Sequence, residues 1–167
     1  MRRPCYNYPL NDKLMNKFFD RILILKKTSL FSEVATEDLR VVVEELREEA
    51  CFNGERVFDV NDPSDRMYIL ESGKIGISIH PNPQVKDFIS ILGMGECFGE
   101  MSLFDEQPRS ATAHVIEDTM LLYLDKAKLQ GLIISYPQLA FGLMRGISLR
   151  LRGVNQRLNS STPGDKQ

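Results

Sequence analysis

Between Phe52 and Asp125 the chain breaks into many short runs of β-branched and aromatic residues, most of them closed by glycine, proline or asparagine. Val57-Phe58-Asp59-Val60 runs into Asn61-Asp62-Pro63, residues 67–70 into Ser72-Gly73, and residues 74–80 into Pro81-Asn82-Pro83, where a reversal is expected. Ile75, Ile77 and Ile79 alternate along the third run, the period of a strand with one buried face. Further runs follow at residues 88–92, 112–116 and 120–124. Short strands so closely spaced leave edges that must be paired or covered, so the pattern predicts a barrel or a sandwich.

Both flanks read as helical, the first over residues 11–51. Leu14, Met15, Phe18, Ile22 and Leu25 recur at helical spacing, and a second helix is expected to start at Thr36 as its cap. Glu37 and Asp38 then suit the positive end of the helix dipole. Near the other end, a short helix over residues 126–134 should stop near Pro137, and a longer one should continue to about Leu158. In it Met144, Ile147, Leu151, Val154 and Leu158 step by three, four, three and four residues. Such a stripe can pack on its own domain or on a second copy of the helix. The tail NSSTPGDKQ is too polar to bury and is expected to be disordered.

Composition narrows the function. A chain of 167 residues, 43% apolar and 26% charged, suits one soluble domain with extra helices. A net charge of -2 supplies no basic field for nucleic acid or an anionic membrane, so neither is expected as a partner. Cys5, Cys51 and Cys97 lack CxxC spacing and His80 and His114 are the only imidazoles, so neither a disulfide framework nor a metal set is expected. Arg2 and Arg3 are followed by no continuous apolar stretch, and no run can span a bilayer, which makes the cytoplasm the expected compartment.

Chemistry concentrates in FGEMSLFDEQPRSA, residues 98–111. Gly99 can adopt backbone conformations closed to other residues, and a glycine leading a helical turn leaves N–H groups that bind anions. Arg109 adds a planar, permanently charged fork suited to phosphate. Glu100 would repel a phosphate, but it can accept hydrogen bonds from sugar hydroxyls. Phosphate beside sugar hydroxyl implies a nucleotide. The preceding Gly93-Met94-Gly95-Glu96-Cys97-Phe98-Gly99 has three residues, not two, before its last glycine, and the strand–helix alternation of a dinucleotide fold is missing. Gly93 and Gly95 are therefore read as a turn entering the segment.

The succession of LFSEVATEDL, the Gly54-Glu55 turn, DRMYILESGKIGI and GECFGEMSLFDEQPRSATA, spread from about Leu25 to Leu158, resembles the cyclic nucleotide-binding domain family and its phosphate-binding cassette. The resemblance implies a mainly β fold with flanking helices: an eight-stranded antiparallel barrel of the jelly-roll type with N-terminal helices and two C-terminal helices, the last a lid. It divides the chain into an N-terminal helical extension (1–24), the domain (25–158) and a tail (159–167). It gives Glu100 the ribose 2′-hydroxyl and Arg109 the cyclic phosphate. Backbone amides of Gly99, Glu100, Met101 and Ser102, and those around Ser110 and Ala111, complete the cradle behind Phe98. Ile77 and Ile89 match apolar positions against ribose and base. Arg150 falls where a lid arginine approaches the ribose-binding glutamate, and Asn155 falls near the base. The family's usual Glu-Gly-Asp is here Val60-Asn61-Asp62, and asparagine tolerates the left-handed turn.

The function so implied is a ligand sensor. Ser110 follows the cassette arginine; its hydroxyl is compatible with cGMP, but serine also occurs there in cAMP-binding regulators, so cAMP is favoured and cGMP kept open. Only residues 159–167 follow the last helix, so no recognition helix is expected in this chain. Kinase signatures and a pore are missing too, and no histidine neighbours Ser102 or Ser110 in sequence, so no enzyme is expected. Output is expected through an effector protein or a homodimer built on residues 138–158. The rival reading is a degenerate barrel that binds no ligand and acts as a protein-interaction scaffold.

Overall fold

Two long strands carry the fold in a computed structural model, which describes residues 9–80 and 87–160, with the side chains of residues 9–14, 102 and 157–160 left outside. β3 (Arg66–Ser78) and β6 (Thr112–Asp125) pair antiparallel from Arg66↔Asp125 to Ser78↔Thr112. Their register shifts between Leu70 and Ser72, Ser72 and Lys74, and Lys74 and Ile75, and such irregularities bend and twist a strand without ending it. Gly73, at φ 86°, makes this bend passable: a Cβ there would lie 2.7 Å from Thr119 Cα.

The remaining strands are short. β1 (Arg47–Cys51) and β2 (Arg56–Phe58) pair with β6, whereas β4 (Ser90–Leu92) and β5 (Cys97–Phe98) pair with β3. The sheet order is β1-β6-β3-β4. Six strands among the described residues therefore replace the expected eight, because β3 and β6 each absorb two of the runs that the intervening turn residues separate in the sequence. The sheet is antiparallel and strongly bent, and the described pairings do not close it into a barrel.

Helices cover one face. α1 (Pro9–Lys27) and α2 (Thr36–Glu45) precede the sheet, and α3 (Lys126–Ser135) and α4 (Gln138–Ser160) follow it. Alternation along β3 sorts the core: Met67 and Ile69 join Leu25, Phe31, Leu39, Leu129 and Leu143 under the helices. Tyr68 and Leu70 point into the roll with Phe98, Ala113, Val115 and Leu121.

Two local expectations are corrected and a third holds. Ala35, not Thr36, is the N-cap of α2, in extended geometry and with no side-chain cap bond. Residues 47–51 form a strand rather than the end of a helix, since Leu46 turns extended (φ -66°, ψ 138°) and β6 supplies a ladder from Arg47↔Tyr123 to Cys51↔Thr119. That is tertiary pairing overriding local propensity. Asn61 does take the left-handed conformation, at φ 70°. The Pro81-Asn82-Pro83 reversal and residues 161–167 of the expected tail lie outside the described residues.

α4 is seated closely. A Cβ on Gly142 would lie 2.8 Å from Val34 Cα, and one on Gly146 would run into the Leu30 carbonyl, so the helix touches the loop after α1 backbone to backbone. That loop is held by Lys26 Nζ, which donates to Val34 O at 2.5 Å. Thr28 Oγ1 lies 3.0 Å from Gly95 O, and Gly95 N–H donates to Leu70 O at 2.8 Å. The helices and the turn before Gly99 thus form one connected frame.

Candidate functional site

The segment of interest starts where β5 ends. Gly99 takes φ 71° and Glu100 follows in the right-handed helical region, capping a 3-10 turn over Met101–Leu103. Leu103, 5% exposed, drives this turn into the core under the helices. The returning arm is pinned by Lys126, whose Nζ donates to Asp105 O at 2.7 Å.

Arg109 is held through its main chain by the turn between β2 and β3. Its N–H donates to Asp62 O at 3.0 Å, and Asn61 N–H donates to Arg109 O at 2.8 Å. The left-handed Asn61 therefore fixes the position of the buried cation. Arg109 is only 4% exposed. Its Nη1 donates to Gly99 O at 3.2 Å, and its guanidinium carbon stands 4.1 Å from the Phe58 ring centroid. Burial pulls its pKa below the ordinary value, opposed by Tyr68, Asp65, Asp62 and Glu100; arginine remains charged regardless. A Cβ on Gly99 would strike Arg109 Nη1, so this glycine serves both its own φ and the packing of the cation.

Glu100 lines the same cavity, its side chain 13% exposed and ion-paired with Arg150 of α4. Cys97 sits beneath: burial, then the charge of Glu100, push its thiol up to about 12, with Arg150 acting in the other direction.

Nine of the twelve residues expected at the site converge on one cavity of about 430 Å³: Ile77, Phe98, Gly99, Glu100, Met101, Arg109, Ser110, Ala111 and Arg150. The side chain of Ser102 lies outside the described residues. Ile89 is not in this lining, and its side chain is 65% exposed. The register explains it: Ile77 pairs with Ser90 and Gly76 with Ile91, so Ser90 shares the inner face with Ile77 while Ile89 and Ile91 face outwards. Asn155 is exposed and also stands outside the lining. Its neighbours Gly153 and Val154 instead border a second cavity of about 520 Å³, which shares Ser90, Leu92, Cys97 and Arg150 with the first.

Seven further residues line the cavity, Phe58, Ser90, Leu92, Cys97, Asp105, Gln107 and Pro108, and two of them show why sequence alone does not place them. Ser90 sits in Phe88-Ile89-Ser90-Ile91-Leu92, where apolar residues occupy both phases and periodicity cannot choose a face. Phe58 reads as one more apolar strand residue, with no signal of its contact to Arg109. Among the described residues there is no cluster of three or more His, Cys, Asp or Glu side chains able to hold a metal, and no helix is long and apolar enough to cross a membrane.

A family model described as the cyclic nucleotide-binding domain matches residues 48–136. The chain belongs to the cyclic nucleotide-binding domain family. It is 30% identical over 135 residues to a CRP-like cAMP-activated global transcriptional regulator of Mycobacterium tuberculosis, covering 81% of this chain and 60% of that protein. It is 33% identical over 136 residues to the cyclic AMP receptor protein of Thermus thermophilus, covering 81% of this chain and 62% of that one. The chain thus spans about three fifths of the length of these two relatives. The N-terminal domain of a transcriptional regulator from Streptomyces coelicolor superposes with a TM-score of 0.70 at 28% identity, over 86% of this chain and 99% of that one.

Proposed function

We propose that residues 25–158 form a cyclic nucleotide sensor, with cAMP as the favoured ligand and cGMP as the alternative, and that binding is relayed through α4. The observation that carries this reading is the pairing of functions around one cavity: the buried guanidinium of Arg109 beside Gly99, and the carboxylate of Glu100 in the same lining. A ligand with a phosphate and a free sugar hydroxyl close together satisfies both, the phosphate on Arg109 and the 2′-hydroxyl on Glu100. The volume of about 430 Å³ falls within the usual range for small-molecule sites. Two relatives carry cAMP in their names, which supports that choice over cGMP.

The proposed role is binding rather than catalysis, with no metal and in the cytoplasm. The relatives named above carry regulator or receptor in their names, and Gly99, Glu100 and Arg109 each have a binding explanation. Output would pass to an effector protein or to a second copy through residues 138–158. The second reading, a scaffold that binds no ligand, draws on the occupation of Glu100 by Arg150. Calorimetry of the purified chain with cAMP and with cGMP separates the two. Saturable binding of either, with the nucleotide recovered intact, supports the sensor; no heat with both, under conditions where the chain is folded, supports the scaffold.

A further inference from the structure

Phe58 ends β2, and the pairing of that strand shifts register between Arg56 and Phe58, which turns the Phe58 ring towards the cavity it lines. There the ring meets the Arg109 guanidinium at 4.1 Å from its centroid, with Tyr68 at 5.8 Å. The ring is backed on its other sides. Its centroid lies 6.0 Å from that of Tyr68 and 5.8 Å from that of Phe98, and those two rings stack at 5.2 Å with an interplanar angle of 16°. Tyr68 and Phe98 are buried, at 6% and 4% exposure, so the shelf under Arg109 is a packed wall.

We infer that Phe58 is a positioning residue for the phosphate contact: its ring face holds the Arg109 guanidinium at the cavity wall so that the fork presents to an incoming anion. This deepens the cyclic nucleotide reading above and rests on it. The physical case is one of charge. A buried cation needs compensation; Asp65, Asp62 and Glu100 act on Arg109 through their charge, and the Phe58 ring adds attraction at 4.1 Å from its centroid. An aromatic face attracts the cation through its quadrupole while leaving the full positive charge in place. The planar, weakly hydrated guanidinium suits such a face better than an ammonium does. The Nη1 bond to Gly99 O fixes the in-plane orientation, and Phe58 fixes the plane.

The first experiment needs no ligand. In the nitrogen-correlated NMR spectrum of the free chain, the Arg109 Nε–Hε signal, identified by its loss in Arg109→Lys, should be displaced by ring current. It should return towards the ordinary arginine position in Phe58→Leu and be displaced again in Phe58→Tyr. An undisplaced signal in the wild type overturns the inference even if the variants do not fold. Calorimetry with cAMP follows: Phe58→Leu should bind about 5- to 30-fold more weakly, and Phe58→Tyr should recover most of that loss. In the Arg109→Lys background, Phe58→Leu should change affinity less than twofold or so, since the partner face is already gone. Additive losses would mean that Phe58 is only core, and would overturn the positioning role. If the wild type binds neither cAMP nor cGMP, the nucleotide reading fails, while the NMR arm still decides whether Phe58 sets Arg109.

Discussion

Arg150 reaches from α4 to form an ion pair with Glu100, fifty residues earlier in the chain. The side chain expected to hold the ligand's sugar is thereby fastened to the helix expected to respond. α4 is not loosely hung: Leu139 and Leu143 are buried, and Gly142 and Gly146 lie against the Val34 and Leu30 backbone. A change at Glu100 therefore acts on a stiff element. If nucleotide binding alters the pair, the position of α4 must alter nucleotide affinity by the same factor.

The pair itself should be weak. The Arg150 side chain is 46% exposed, so solvent screening leaves the interaction at about 0.2–1 kcal/mol. Arg150→Gln is expected to lower the melting temperature by no more than about 4 °C. It should also speed hydrogen exchange over residues 138–158 in the free chain, and high salt should produce the same change in the wild type. Exchange indifferent to both would show that the pair does not hold the helix.

Removal of the buried cation should cost far more. Arg109→Ala is expected to weaken cAMP binding by about 2–5 kcal/mol, against about 1 kcal/mol for Ser110→Ala, because the first deletes a desolvated charged contact and the second a neutral, exposed hydroxyl. Titration calorimetry on both variants measures the difference. Wild-type affinity in Arg109→Ala would sink the assignment of the phosphate site.

Glu100 admits a test with the ligand as second partner. Glu100→Gln should weaken cAMP, yet barely change the affinity of the 2′-deoxy analogue, since the interaction is already missing there. Independent, additive losses would make Glu100 a surface carboxylate whose role ends at Arg150.

The cassette was legible because its demands are chemical and local: a left-handed glycine at 99, a carboxylate at 100 and a buried arginine at 109 are all spelled in sequence order. The strand count was less so. Gly73 and the Glu117-Asp118-Thr119 stretch carry turn chemistry, yet long-range pairing carries β3 and β6 through them as bends. The face of Ile89 is illegible for a related reason: it depends on which residue opposes Ile77, and a strand apolar in both phases does not encode that. Phe58 was invisible as a contact because cation–π geometry has no sequence period.

The seat of α4 yields a contrast between glycines of one helix. Gly153 has nothing within 4 Å of a built Cβ, so Gly153→Ala should stabilise the chain by about 0.5–1 kcal/mol through helix propensity. Gly146→Ala gains the same propensity but drives a methyl into the Leu30 carbonyl, and overpacking costs about 1–3 kcal/mol. Urea denaturation should therefore move the midpoints in opposite directions. Stabilisation by both would mean that α4 is not held tightly against the Thr28–Val34 loop.

The apolar stripe on α4 divides between two fates. Ile147 packs against the domain's own core, whereas Met144, Leu151 and Val154 are 52%, 60% and 47% exposed. Outward apolar residues at this spacing fit a second copy of the helix better than a lid lying on its own domain. Leu151→Asp should then shift sedimentation towards the monomer, since each copy loses about 1.5–3 kcal/mol of leucine burial and the two carboxylates would face each other across the seam. The melting temperature of the isolated domain should hardly change, because Leu151 contributes little to its core. Ile147→Asp should do the reverse, unfolding the domain by placing a charge against the core under the helices. If Leu151→Asp sediments like the wild type, α4 does not pair with itself, and the output surface lies elsewhere.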